Sequence, residues 1–279
     1  SFDLPQLAAI RVGFLSTDGL RFMAGEPPLG EAEMQAHIRE VADVALHGHA
    51  TAEFRSNPKL KAPGLRLTRI AEEVDEDISS RTRLLPSDWD RLRDVAWLEF
   101  KEKGYTAASI PAISSKAAFP RNTIYRHYNS KEKLFFEISK NIIFNSFSQI
   151  NATKGVYEEV IPFLQAAGDA ILVSFLNKDN LELHKLMMSE AGKSPEIGRF
   201  IHGEISRRVD CILEPAFSRL VEMNIIRRDL YPKAKWRFFV LVTLGSRFLF
   251  VSEPSEKERK NLISEAVRMF LFGFRLNGA

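Results

Sequence analysis

The 279-residue sequence contains one cysteine, Cys211. A single thiol excludes an internal disulfide framework and a multi-cysteine metal site, and it suits a reducing compartment. Cys211 falls in a long helical stretch, where a lone thiol is expected to pack as a small apolar residue. Long apolar runs are also lacking. The longest, Phe238 to Val251, is interrupted by Arg247 and falls short of the about 20 residues that cross a bilayer. It reads as a helix buried in protein, and no membrane partner is expected. Residues 1–20 show no basic start followed by an apolar run, so no secretory signal is expected and the protein is read as cytoplasmic; the missing initiator Met implies a trimmed start. Charge of one sign is scarce. Lys and Arg number 39 against 36 Asp and Glu, a net +3, too little to mark a nucleic-acid binder or an enzyme for acidic substrates. No Ser/His/Asp set, glycine-rich phosphate loop or paired carboxylate stands out, so neither an enzyme nor a cofactor is expected. His47 and His49 lie two apart and do not share a helix face, so no metal site is expected.

What is present is the balance of a folded protein, 45% apolar and 27% charged. The small net charge is unevenly spread. It is −5 over residues 1–80, +5 over 81–140 and +3 over 141–279. Fifteen of the 21 phenylalanines lie from residue 135 onward. Strand patterning is scarce and helical patterning dense, which points to an all-α fold. Helices are expected over 31–47, over 66–80 more weakly, and over 88–103, where Gly104 supplies the stop. Short helices follow at 110–117 and 121–128, then one capped by Ser130 that carries Leu134, Phe135, Ile138, Ile142 and Phe147. Further helices fit 157–176, 179–191, 195–223, 233–251 and 256–275. Ser194-Pro195 has the form of an N-cap with proline at the first helical position, and Ser255 with Glu258 the spacing of a capping box.

The two short helices, a few residues apart after a longer one, have the layout of a helix-turn-helix. Arg121, Asn122, Thr123, Tyr125, Arg126 and His127 supply donors and aromatic reach on the last of them, while Ile124 and Tyr128 face inward at i, i+4. The stretch from Phe100 through Gly104, Tyr105, Ser109 and Ile113, and the run Tyr125-Arg-His127-Tyr128-Asn-Ser130-Lys131-Glu132-Lys-Leu134-Phe135, resemble the DNA-binding domain of TetR-family transcriptional regulators. Residues 156–275 resemble, more loosely, an AefR-like C-terminal domain, through helix layout and the segment Leu183 to Glu190 followed by Pro195 and Glu196.

The resemblance implies a three-helix DNA-binding domain (84–135) and a C-terminal helical bundle for regulation and dimerisation (136–279); the acidic residues 1–80, which it does not cover, read as a small helical extension that packs on the body or mediates a partner contact. It implies that Ser109 caps the second helix and touches phosphate. Arg121, Asn122 and Thr123 approach base edges, Tyr125 and His127 contact backbone or bases, and Lys131 contacts phosphate. The partners implied are double-stranded DNA, a second copy of the chain, and a small apolar or amphipathic ligand. Bundles place cavities between helices, and Phe175, His184, Met187 and Met188, with Phe217, Trp236 and Phe239, are lining candidates. For each of them plain core packing is the competing reading. Val240, Leu244 and Phe248, with Ile263, Val267, Phe270 and Phe274, are candidates for a dimer face. The function implied is a ligand-responsive repressor on a near-palindromic operator. The alternative is a dimeric small-molecule-binding or scaffolding protein of the same fold without operator binding. Its supporting features are Ala118, where a turn glycine is usual, and Pro120, where a capping serine is usual.

Overall fold

The structure is a computed structural model, and it describes residues 30–67, 86–148, 150, 156–190, 193–243 and 254–273. The helix expected over 66–80, and the candidates Leu244, Phe248 and Phe274, fall wholly or mostly outside these residues. The described elements are α1 (Glu31–His47), α2 (Ala52–Ser56), β1 (Lys61–Leu65), α3 (Pro86–Ala107), α4 (Ile110–Ala117), α5 (Arg121–Tyr128) and α6 (Lys131–Ser148). After these come β2 (Tyr157–Glu159), α7 (Val160–Phe175), α8 (Lys178–Glu190), α9 (Pro195–Glu222), α10 (Tyr231–Thr243) and α11 (Glu256–Phe272). The protein is all-α, with a single small ribbon among the described residues.

Local chemistry sets the ends of these helices. Glu33 in the first turn of α1 accepts the Gly30 N–H at 3.1 Å, and acidic side chains there complement the helix dipole. The Ser255–Glu258 box at the start of α11 is formed, the Glu258 carboxylate accepting the Ser255 N–H at 2.8 Å. Pro195 sits at the start of α9 as expected, but the Ser194 side chain makes no capping bond. The stop expected at Gly104 is a break, at φ +76°, followed by a last short turn to Ala107. Cys211 corrects its expectation. It is exposed, because it projects from the outer side of α9 beside the exposed Arg207 and Asp210.

α3–α6 form the head, with Leu92, Ala96, Phe100, Ile113, Ile124, Leu134 and Phe135 packed in its core. α7–α11 form the body. The helix expected over 157–176 begins three residues late. Tyr157–Glu159 instead pair antiparallel with Lys61–Leu65, and Lys61 is held to Glu158 at 3.0 Å. That partner strand contains Pro63 and Gly64 and carries no alternating apolar pattern, so it gives no strand signal in the sequence.

The described part of the N-terminal extension is built into the body. α1 lies on α11, burying Val41, Val44 and Ala45. Where the two helix ends cross, Gly48 (φ +68°) meets Gly273 (φ +74°), and a Cβ on Gly48 would lie 2.4 Å from the Leu271 carbonyl. Only glycine permits that approach. Beyond the crossing, the His49 and Ala50 N–H groups donate to the carbonyls of Phe270 and Leu271 at 2.7 and 3.0 Å. These are carbonyls that the end of an α-helix leaves without intrahelical partners. Glu40 pairs with Lys233 and Arg237, and Asp43 with Arg227.

Candidate functional site

Ser109 caps α4, its hydroxyl accepting the Ala112 N–H at 3.3 Å. α4 ends at Ala118, which takes the left-handed conformation (φ 49°, ψ 44°) that the usual glycine would adopt freely. Ala carries a cost of about 1 kcal/mol there. The turn is fixed by Phe119 N–H donating to Ser114 O at 3.0 Å and Ser114 Oγ donating to Phe119 O at 2.6 Å. Phe119 is buried beneath it. Pro120 holds the N-cap of α5 without a side-chain bond, and its carbonyl accepts the Thr123 N–H at 3.0 Å. The two departures from the family pattern therefore leave the helix-turn-helix intact.

α5 is anchored on one side and open on the other. Ile124 and Tyr128 are buried, with Tyr128 against Trp89 at 5.8 Å between ring centroids. Burial pushes the Tyr128 hydroxyl up, so it stays protonated. Arg121, Asn122, Tyr125 and Arg126 face solvent, Tyr125 being 45% exposed, while Thr123 and His127 are half-buried.

Lys131 corrects the expectation of a phosphate contact. Its ammonium donates to the carbonyls of Tyr105, Thr106 and Ala108 at 2.8, 3.1 and 3.0 Å and lies 4.5 Å from the centroid of the Tyr105 ring. All three of its donors are engaged in closing the 105–108 turn onto α6. Burial also holds its pKa below the usual lysine value.

The head meets the body chiefly through α8. Trp97 Nε1 donates to Asp179 at 2.9 Å, and the Thr106 hydroxyl donates to the buried Glu190 at 2.6 Å. Beside these bonds, Phe136 of α6 stacks on Phe200 of α9 at 3.9 Å.

Inside the body, four of the seven lining candidates come together. Phe175 lies 4.7 Å from His184 and 6.3 Å from Phe239, and Trp236 stacks on Phe239 at 5.1 Å. Met187 is buried one turn beyond His184, whereas Met188 points outward. Phe217 packs elsewhere, with Phe238 and Phe270. The residue that sequence reasoning missed is Asn180. It is a polar residue on the inner face of α8, one turn before His184. Its i, i+4 spacing from His184 was the available signal. Of the dimer-face candidates, Val240, Ile263, Val267 and Phe270 are buried within the protomer, Phe270 beneath the stacked ring of His49 at 4.3 Å.

Residues 92–138 match the family described as bacterial regulatory proteins, tetR family, and residues 162–275 match the AefR-like transcriptional repressor C-terminal domain. The chain belongs to the TetR family. As a member it is a DNA-binding transcriptional regulator, with the helix-turn-helix in α4–α5. Neither match reaches residues 1–91. The fold is similar to that of a protein from Mesorhizobium loti MAFF303099 described as a TetR-family transcriptional regulator, at 21% identity and TM-score 0.52, covering 66% of this chain and 95% of that one. It is similar also to the fatty acid degradation regulator FadR from Bacillus halodurans, at 16% identity and TM-score 0.52, covering 70% and 99%. A protein described as a transcriptional regulator from Pseudomonas aeruginosa PAO1 gives 19% identity and TM-score 0.53, covering 69% and 93%. No curated protein matches.

Proposed function

We propose that the protein is a ligand-responsive repressor, and not an enzyme, that binds a near-palindromic operator as a homodimer in the cytoplasm. The observation that carries the reading is the two-sidedness of α5. Ile124 and Tyr128 fix the helix to the head, and Arg121, Asn122, Tyr125 and Arg126 stand free on the opposite side. Such a helix enters a major groove with its first turn toward the base edges. Arg121, Asn122 and Thr123 read bases, while Tyr125 and His127 reach backbone or bases. Ser109, at the start of α4, places helix-end amides near a phosphate. The repressor sign is supported by the description of the matched C-terminal domain. The body is the regulatory unit, with a small ligand among Phe175, His184, Trp236 and Phe239, and dimerisation is assigned to the α10–α11 pair. Val240, Ile263, Val267 and Phe270 shape that pair from within. The functional division is an extension (1–80), a head (84–135) and a body (136–279), with the described extension acting as part of the body.

Selection of genomic fragments bound by the purified chain tests the reading. The expected result is one enriched inverted repeat, with Arg121→Ala costing about 1–3 kcal/mol and relaxing the preference at one base of each half-site. A promoter carrying that repeat should be silenced in a reporter strain. No enriched repeat would leave the fold to a small-molecule-binding or scaffolding role.

A further inference from the structure

Asn180 and His184 stand one turn apart on α8, so their side chains leave the same face of the helix. Both are buried, and each leaves a polar atom without a hydrogen-bond partner, Oδ1 of Asn180 and Nε2 of His184. The amide orientation is fixed. Its Nδ2 donates to the Phe175 carbonyl at 3.2 Å, which turns Oδ1 away from that bond. Buried polar atoms in packed cores are nearly all paired, so two unpaired atoms on neighbouring turns mark a place kept for something else. The neighbourhood is aromatic: the Phe175 ring lies 4.7 Å from the imidazole, Phe239 stands edge-on to Phe175, and Trp236 stacks on Phe239.

We propose that Asn180 and His184 form the polar end of the regulatory pocket, and that its ligand is a neutral aromatic molecule bearing a hydroxyl group, of the alkylphenol kind. This rests on the ligand-responsive reading above. One hydroxyl satisfies both atoms. Its O–H donates to Asn180 Oδ1, and its oxygen accepts from the N–H of His184 Nε2, while the ring packs against the aromatic cluster of Phe175 and Phe239. A carboxylate has no proton to give Oδ1 and would bring a charge that nothing there balances. Burial alone pushes the His184 imidazole down to about 4, and among the described residues no charged group acts on it, so at neutral pH it is no counter-ion. Arg208, the buried cation of α9, gives Nη1 to Glu204 and leaves Nε and Nη2 unpartnered, but it exerts no charge effect on His184 and so does not serve this site. An ammonium ligand would lack a counter-charge for the same reason.

Isothermal titration of the full chain with three matched probes, 4-butylphenol, butylbenzene and 4-butylbenzoate, tests the proposal. The phenol is expected to bind at least tenfold more tightly than either of the others. Asn180→Leu should cut its advantage over butylbenzene to less than threefold while leaving butylbenzene affinity unchanged. His184→Phe, which keeps a ring against Phe175, should do the same and serves if the first variant does not fold. Thermal unfolding of each variant establishes which have folded. Tightest binding by the benzoate, equal affinity for phenol and butylbenzene, or a phenol advantage that survives both substitutions would overturn the ligand class alone. If no probe binds, the pocket and the ligand response fall together, and operator selection still tests the DNA reading separately.

Discussion

Two residues decide how the reading head is held. Ala118 occupies a left-handed position for which glycine is the unstrained choice. Ala118→Gly should therefore raise stability by about 0.5–1 kcal/mol in denaturant unfolding, without changing operator affinity; a loss of stability would show that the methyl group packs more than it strains. Lys131 works by closing the 105–108 turn. Lys131→Met should lower stability by about 1–3 kcal/mol, since three carbonyls lose a charged donor. The salt dependence of DNA binding should keep its slope; a fall of about one unit would restore the phosphate role. Ser109, Ile124 and Tyr128 were legible in the sequence because caps and i, i+4 faces are local patterns. The occupation of Lys131 was not, since it depends on where a turn more than 20 residues away presents its carbonyls.

At the scale of elements, α8 is shared between two tasks. Its inner face carries Asn180, His184 and Met187, and the two ends of the same helix, Asp179 and Glu190, bond the head. In the ligand-responsive reading proposed above, a shift of α8 would move its bonded partners Trp97 and Thr106 and so change how the head sits under the body. α8 and α9 were legible in the sequence to within a residue at each end, through apolar periodicity and, for α9, the proline at its start. The ribbon of β1 and β2 was not, because its stability comes from a partner about 95 residues away and its own pattern is irregular. Titration acts at this scale too. His49, sealed where the extension meets α11, is pushed down to about 3 by burial and the nearby Arg237, and His184 is pushed down to about 4. Both folded values lie below those of the unfolded chain, which therefore binds more protons below about pH 6.5. Stability is full above that pH and falls as pH drops, by about 1.4 kcal/mol per unit for each histidine between roughly pH 6 and 4. Urea unfolding at pH 7, 6 and 5 measures the slope, and His49→Phe should remove about half of it. An unchanged slope would place the proton uptake elsewhere.

For the molecule as a whole, the acidic first 80 residues read in the sequence as an extension that packs on the body or meets a partner. The described part of them is structural: α1 covers α11, and backbone donors beyond it cap that helix. Which elements it covers was not legible because its contacts join residues about 95–220 positions apart, where neither periodicity nor spacing carries a signal. Gly48→Ala should cost about 2–4 kcal/mol, as the added methyl meets the Leu271 carbonyl at 2.4 Å in a strained backbone conformation. A loss below 1 kcal/mol in thermal unfolding would mean that the crossing can open without harm. The net −5 of this region also opposes the +5 of residues 81–140. Deleting residues 1–80 should therefore raise non-specific DNA binding at low salt while destabilising the body.

The bond from His49 to Phe270 spans 221 positions, whereas the head is closed by contacts within residues 86–148. On a ribosome these two parts mature at different times. The head has the partners of its own core once α6 has emerged, while α1 waits for α11 before its apolar face is covered. The nascent chain thus carries a folded head before its body is closed, with Val41, Val44 and the end of α1 uncovered for most of synthesis. Translation speed through residues 149–273 sets how long that half-built state lasts.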